Sequence, residues 1–206
     1  MERSVTQRGI KYLVHFTRVD NLESIFTNGL IPVETLRRER FTNFFHNDEY
    51  RMDDCETANC LSIQFPNYRM FFKYRQQNPT VDWVVLGIKK EVLWKKDCAF
   101  CKENAASSNV LGIPLELRKG VGAFNGLYDE YPGKPSRSTL DIDPALPTHP
   151  QAEILVFDVI EPENIWGVAF ENLYEKNKYS SLLPSNINCE VVGRLFSYRK
   201  DYEYWR

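Results

Sequence analysis

The chain has 206 residues, 43% of them hydrophobic, which suits one domain with one sizeable core. A formal net charge of −2 excludes coating of duplex nucleic acid by bulk basicity, and no window approaches the ~20 apolar residues of a membrane span. Five cysteines, an odd count, with no apolar run behind the charged start MERSVTQRGIKY, argue against a disulfide framework and an export signal, so a cytoplasmic protein is the expectation.

In 11–17 the side chains of Tyr12, Val14 and Phe16 fall on one face of a strand, and those of Leu13, His15 and Thr17 on the other. Asp20 and Glu23 have the spacing of a capping box; Leu22, Ile25 and Phe26 give the next helix its apolar stripe, and Asn28-Gly29 ends it. The stretch 32–58 is polar and irregular and contains FFHNDEYRMDD. CLSIQF at 60–65 alternates as a strand does, and Pro66-Asn67 opens a short aromatic helix, YRMFFKYRQQN. DWVVLGIKK at 82–90 is a near-continuous apolar run, which predicts a central strand, and KKDCAFCK predicts a short one.

Residues 119–150 differ. They hold five of the 11 prolines and four of the 10 glycines and show little periodicity, and a loop of that length inside a domain is usually functional. QAEILVFDVI at 151–160 is a strong strand; IWGVAF, a helix with ENLYEKNKY, and CEVVGRLF follow. Strands and helices mix irregularly without internal repeat, so the class is α+β in a single domain, 1–206.

Three constellations can carry chemistry. His15 and Thr17 project from one strand face beside a helix start, where an imidazole and a hydroxyl can bond a ribose or amide; from the residues alone a satisfied core histidine and a strand threonine are the favoured reading. Arg51 stands among Asp48, Glu49, Asp53 and Asp54, either as a surface ion pair or as a guanidinium aimed at a phosphate or base edge. Gln151 and Glu153 share one face at a strand start after the long loop, where a carboxylate can bond a ribose hydroxyl and stabilise a cationic sugar carbon; a polar strand edge is the plain alternative. CETANC and CAFC read as ordinary buried thiols rather than zinc ligands. No Gly-rich phosphate loop, H-E-x-x-H or G-x-S-x-G is present.

Taken in order, HFTRVDNLESIFTNGL, NDEYRMDD, SIQFPNYRMF at 62–71 and QAEILVFDVIEPENI at 151–165 resemble the DarT-type DNA ADP-ribosyltransferase toxins over about residues 10–170. The resemblance implies a compact ADP-ribosyltransferase fold with a central mixed sheet, transferring ADP-ribose from NAD+, a co-substrate, to a base of single-stranded DNA, with no metal. It implies NAD+ contacts at His15, Phe16, Thr17, Ser24 and Arg51, and catalytic roles for Glu153 and Arg51. It makes 119–150 a substrate-recognition loop. There Phe124, Tyr128 and Tyr131 would stack on bases, Arg118, Lys119, Lys134 and Arg137 would follow phosphates, and Gln151 would touch the acceptor. FPNYRMF departs from the aromatic-Pro-Arg-Ser-Pro-Met run of thymine-modifying members and looks more like the guanine-modifying branch. The implied partner is an antitoxin ADP-ribosyl hydrolase of macrodomain or NADAR type. The rival readings are an ADP-ribosyltransferase acting on RNA or protein, and a non-catalytic nucleic-acid-binding module.

Overall fold

The alternation that separates Leu13 from Val14 runs through every central strand and builds a sheet with both faces covered. The computed structural model describes residues 1–39 and 57–205. In chain order the elements are α1 (Glu2–Gln7), β1 (Tyr12–Arg18), α2 (Leu22–Asn28), α3 (Val33–Arg38), β2 (Asn59–Ile63), α4 (Tyr68–Gln77), β3 (Trp83–Lys89), α5 (Val92–Lys95) and β4 (Cys98–Cys101). Then come α6 (Ser108–Leu111), α7 (Gly120–Gly126), β5 (Glu153–Val156), β6 (Ile165–Phe170), α8 (Leu173–Tyr179) and β7 (Asn188–Val191). Among the described residues no helix is long and apolar enough to cross a membrane.

The strands form one sheet in the order β4-β5-β2-β1-β3-β6-β7. Its pairings are antiparallel except β6 with β7, so the sheet is mixed and the fold is α+β. β1 is the middle strand, and its two edges differ. It is registered with β3 over seven pairs, from Tyr12↔Lys89 to Arg18↔Trp83, but with β2 over only two, Leu13↔Ile63 and Val14↔Ser62. Beyond Val14 the ladder to β2 stops, and the sheet forks at its centre.

Leu13, Leu61, Leu86, Ile154 and Val156 face one side and join Leu22, Ile25 and Phe124 in the main core. On the other side Val14, Trp83 and Val85 pack against Phe71 and Tyr74 of α4, while Ala99, Cys101 and Leu155 pack against Val110. Each such large side chain contributes roughly 1.5–3 kcal/mol on burial. The end of α2 is tied down at Gly29, which has φ +88. A Cβ there would sit 2.7 Å from the Ile160 carbonyl oxygen, and Leu30 and Ile160 exchange backbone hydrogen bonds of 2.8 and 3.0 Å beside it.

Two sequence expectations are corrected here. No capping box forms: Asp20 lies exposed in a 3-10 turn, Val19–Asn21, and the N-cap of α2 is Asn21, whose side chain donates to Thr17 instead of capping the helix. Residues 119–150 are not one loop, since they open with α7. Three glycines make that helix weak by propensity, and burial of Phe124 against Phe100 decides in its favour.

Candidate active site

Glu153 opens β5 and is only 4% exposed. A buried carboxylate is costly unless donors converge on it, and here they do. Asn67 Nδ2 and Asn104 Nδ2 donate to Oε1 at 2.9 and 3.1 Å, and the Ala105 N–H donates to Oε2 at 2.8 Å. Asn67 is the N-cap of α4: its Oδ1 accepts the Met70 N–H at 3.3 Å while its amide nitrogen reaches the carboxylate. The corner that delivers it is tight, with Gln64 at φ +57 just after β2. Asn104 and Ala105 come from the loop after β4, where Asn104 Oδ1 also accepts the Ala106 N–H at 2.9 Å. A helix cap and a turn thus aim Glu153, which fixes its direction more tightly than a lone side-chain contact would.

Glu103, the residue before Asn104, meets an aromatic group. Tyr131 donates to Glu103 at 2.5 Å, and the rings of Tyr131, His149 and Trp205 lie 4.7 to 5.3 Å apart. His149 Nδ1 accepts the Gln151 N–H at 3.1 Å, so the proton of the neutral ring is on Nε2. Burial pushes the His149 pKa down to about 4; Glu103 opposes this, and Arg199, Arg69 and Lys134 add to the fall. Between 6.5 and about 4 the unfolded chain therefore binds a proton that the folded chain refuses, and stability rises with pH across that window. Thermal unfolding should come earlier at about pH 5 than at about pH 7, and His149→Gln should reduce that difference. A ring titration followed by NMR should centre near 4.

His15 lies on β1, at the fork. Its Nδ1 is 2.8 Å from the Cys60 carbonyl oxygen; a carbonyl only accepts, so Nδ1 carries the proton and Nε2 is the acceptor of the neutral ring. The imidazole thus bridges the two strands where their ladder has ended. Glu153 is one strand further, beyond β2, on the order of 10 Å away at a strand spacing of about 4.8 Å. The two side chains do not share a face: His15 pairs across β3 with Leu86 of the main core, and Glu153 pairs across β4 with Cys101 of the smaller cluster on the other side. What relates them is the fork between β1 and β2.

The other sequence candidates divide. Thr17 is buried and its Oγ1 accepts from Asn21 Nδ2 at 3.0 Å, and Ser24 Oγ, one turn on, accepts from Asn28 at 3.4 Å. The Phe16 ring is on the opposite face, stacked on Phe71 at 4.6 Å. Gln151 is half-buried, two residues before Glu153. Arg51 lies outside the described residues.

Of the roles expected of 118–150, base stacking by Phe124 and Tyr128 and phosphate contact by the buried Arg118 are corrected; Tyr131 is half-buried on Glu103. Phe124 is 0% exposed and Tyr128 is buried with its hydroxyl on the Ala145 carbonyl, so neither can stack on a base. Arg137 is spent inside the loop, on Thr148 Oγ1 and the carbonyls of Asp143 and Leu146. Arg118 is buried against Cys101, Lys119 bridges Asp97, and Lys134 bonds the Tyr204 carbonyl. Cys98 and Cys101 are buried and leave β4 on opposite faces, so they do not converge on an ion; among the described residues no group of three His, Cys, Asp or Glu is placed to hold one.

Asn67, Asn104 and Ala105 escaped the sequence reading. Asn67 carried a signal, an Asn after Pro at a helix start; Asn104 and Ala105 carried none, because only folding brings their loop to β5.

A family model described as "ssDNA thymidine ADP-ribosyltransferase, DarT" matches residues 14–196. Among solved structures the chain is similar to Thermus sp. 2.9 DarT in complex with carba-NAD+, with a TM-score of 0.63 and 11% identity over 91% of this chain and 98% of that one. It is similar to the same protein in complex with ADP-ribosylated ssDNA, with a TM-score of 0.54 and 13% identity over 92% and 97%. It also resembles Thermosipho africanus DarTG in complex with ADP-ribose, with a TM-score of 0.61 and 16% identity over 90% of this chain; the chain spans only 51% of that one. At these identities the likeness is one of fold. No curated protein matches the sequence.

Proposed function

The chain belongs to the DarT family of single-stranded-DNA ADP-ribosyltransferases, and from that membership we propose that it transfers ADP-ribose from NAD+ to a base of single-stranded DNA, with Glu153 as the catalytic carboxylate. The observation that carries the reading is the buried Glu153 side chain, aimed by Asn67, Asn104 and Ala105 beside a forked sheet. NAD+ is the ADP-ribose donor. Glu153 bonds a hydroxyl of the nicotinamide ribose and stabilises positive charge at C1′ as the C1′–N bond breaks and nicotinamide leaves as a neutral ring. A nucleophilic nitrogen of the base then bonds C1′ and releases its proton to solvent water. His15, held by Cys60, presents an acceptor nitrogen to the ribose or carboxamide across the fork, with Thr17 and Ser24 on the donor's side and Phe16, whose ring turns to Phe71, contributing only backbone. Arg51 orients and stabilises the acceptor; it is not a free base, because guanidinium stays protonated below about 12.

The acceptor is guanine: FPNYRMF replaces the run of thymine-modifying members, and Asn67 of that stretch touches the catalytic carboxylate directly. Gln151 contacts the acceptor. The protein acts as a toxin and is opposed by an antitoxin that removes ADP-ribose, a hydrolase of macrodomain or NADAR type. The test is mass spectrometry of nucleosides from single-stranded DNA incubated with the protein and NAD+. An ADP-ribosyl adduct on deoxyguanosine is expected; an adduct on thymidine would refute the base assignment, and labelling of RNA or protein in place of DNA would refute the substrate class.

A further inference from the structure

The correction of 119–150 leaves a question: a single strand needs rings to stack on, and the loop's Phe124 and Tyr128 are buried. Exposed rings lie elsewhere. On α4 the residues Arg69, Phe72, Lys73 and Gln76, at i, i+3, i+4 and i+7, form one outward face, and all four are exposed. Phe72 is 45% exposed and lies 5.9 Å from Tyr198, which is 48% exposed and stacks on Tyr202 at 4.9 Å. Tyr68 supports Tyr198 edge-on at 5.8 Å. The ledge adjoins the catalytic carboxylate, because the residue before Tyr68 is Asn67, whose amide holds Glu153.

Its charge fits a polyanion. Of the segments that build it, 67–77 and 193–200 contain no Asp or Glu; beside Tyr202, Asp201 is buried on Arg199, and Glu203 is exposed 3.4 Å from the Tyr202 hydroxyl. Arg75 is neutralised by Glu171 and Arg199 by Asp201, each at 2.5 Å, whereas Arg69, Lys73, Arg194 and Lys200 are exposed; Arg69 donates to the Trp205 carbonyl at 2.7 Å, which leaves its charge unneutralised. Lys200 meets Asp141 only in open solvent, a pairing of little strength. In a chain of net charge −2 this is a local cationic stripe interleaved with rings. A protein interface would not require the same interleaving.

We propose that Phe72, Tyr198 and Tyr202 form the platform on which nucleotides flanking the acceptor base stack, with Arg69 and Lys73 meeting their phosphates. This rests on the DNA-modifying reading above. It is tested by fluorescence anisotropy of a labelled single-stranded oligonucleotide with the full chain, without NAD+, so that no turnover occurs. Phe72→Ala combined with Tyr198→Ala should weaken binding at least about tenfold, and Tyr198→Trp should hold it near the parent value. Lys73→Glu should weaken binding and flatten its salt dependence by about one phosphate contact. All variants should bind NAD+ calorimetrically as the parent does.

Parent-like affinity in the double variant overturns the ledge, as does a parent chain that binds no oligonucleotide. Joint loss of NAD+ and DNA binding also overturns it, since the rings would then be structural. Self-association abolished by the double variant, with DNA binding intact, would make the ledge a protein interface and end the proposal. Oligonucleotide binding through these rings by a chain that never labels DNA would support the ledge and refute the catalytic reading, so the two failures are distinct.

Discussion

Glu153→Gln should lower ADP-ribosyl transfer by at least about a hundredfold, the scale on which removal of one preorganised electrostatic contact to a developing charge is felt. The volume is kept and the charge is lost. One acceptor oxygen also becomes an NH2 group facing either the two Asn amides or the Ala105 N–H, so a buried donor loses its partner. That costs about 1–3 kcal/mol and should lower the unfolding temperature by several degrees. Radiolabel transferred from NAD+ to an oligonucleotide measures the first effect, and a thermal melt the second. Undiminished labelling by a folded Glu153→Gln chain would remove this residue from the chemistry.

Asp201→Ala should destabilise the protein by about 3–5 kcal/mol, because it strands a buried guanidinium. Arg199 donates to Asp201 through Nε at 2.6 Å and through a terminal nitrogen at 2.5 Å. It also bonds the carbonyls of Pro147 and Thr148 at 2.8 and 2.7 Å, and Trp205 Nε1 caps the carboxylate at 2.7 Å. The C-terminal segment is thereby clamped onto the stretch that leads into Gln151 and Glu153. Burial would raise the Asp201 pKa, but the Arg199 hydrogen bonds and charge and the Trp205 bond outweigh it and hold the carboxyl below its ordinary 3.8. The stabilisation is then complete above the ordinary carboxylate range and is lost as pH falls through the depressed folded value. Urea midpoints at neutral pH should separate parent and variant clearly, and the gap should narrow in strong acid. Equal midpoints at neutral pH would show that the clamp contributes nothing.

Much of the architecture was readable because its causes are local. Period-two alternation exposed β1 and β2, the apolar run exposed β3, and Asn28-Gly29 ended α2 where the backbone turns to φ +88. The loop 119–150 was misjudged in content, since glycine and proline report on propensity and not on what burial of Phe124 against Phe100 can impose. The capping box failed for a related reason: a 3-10 turn over Val19–Asn21 puts Asp20 ahead of the helix start, and Asn21, the actual N-cap, gives its side chain to Thr17 on the preceding strand.

By itself the sequence determined the fold class, the family and the identity of Glu153 as a candidate, because each rests on residue type and spacing along the chain. Tertiary structure alone decided the site's second half. Asn67 is 86 residues from Glu153 and Asn104 is 49, and no pattern along the chain encodes that their amides converge on one carboxylate. It also decided which rings are inside, Phe124 and Tyr128, and which are outside, Phe72 and Tyr198. The physical reason is common to both: hydrogen-bond geometry and solvent exposure are properties of neighbours in space, and a forked sheet with two covered faces chooses those neighbours only once it has formed.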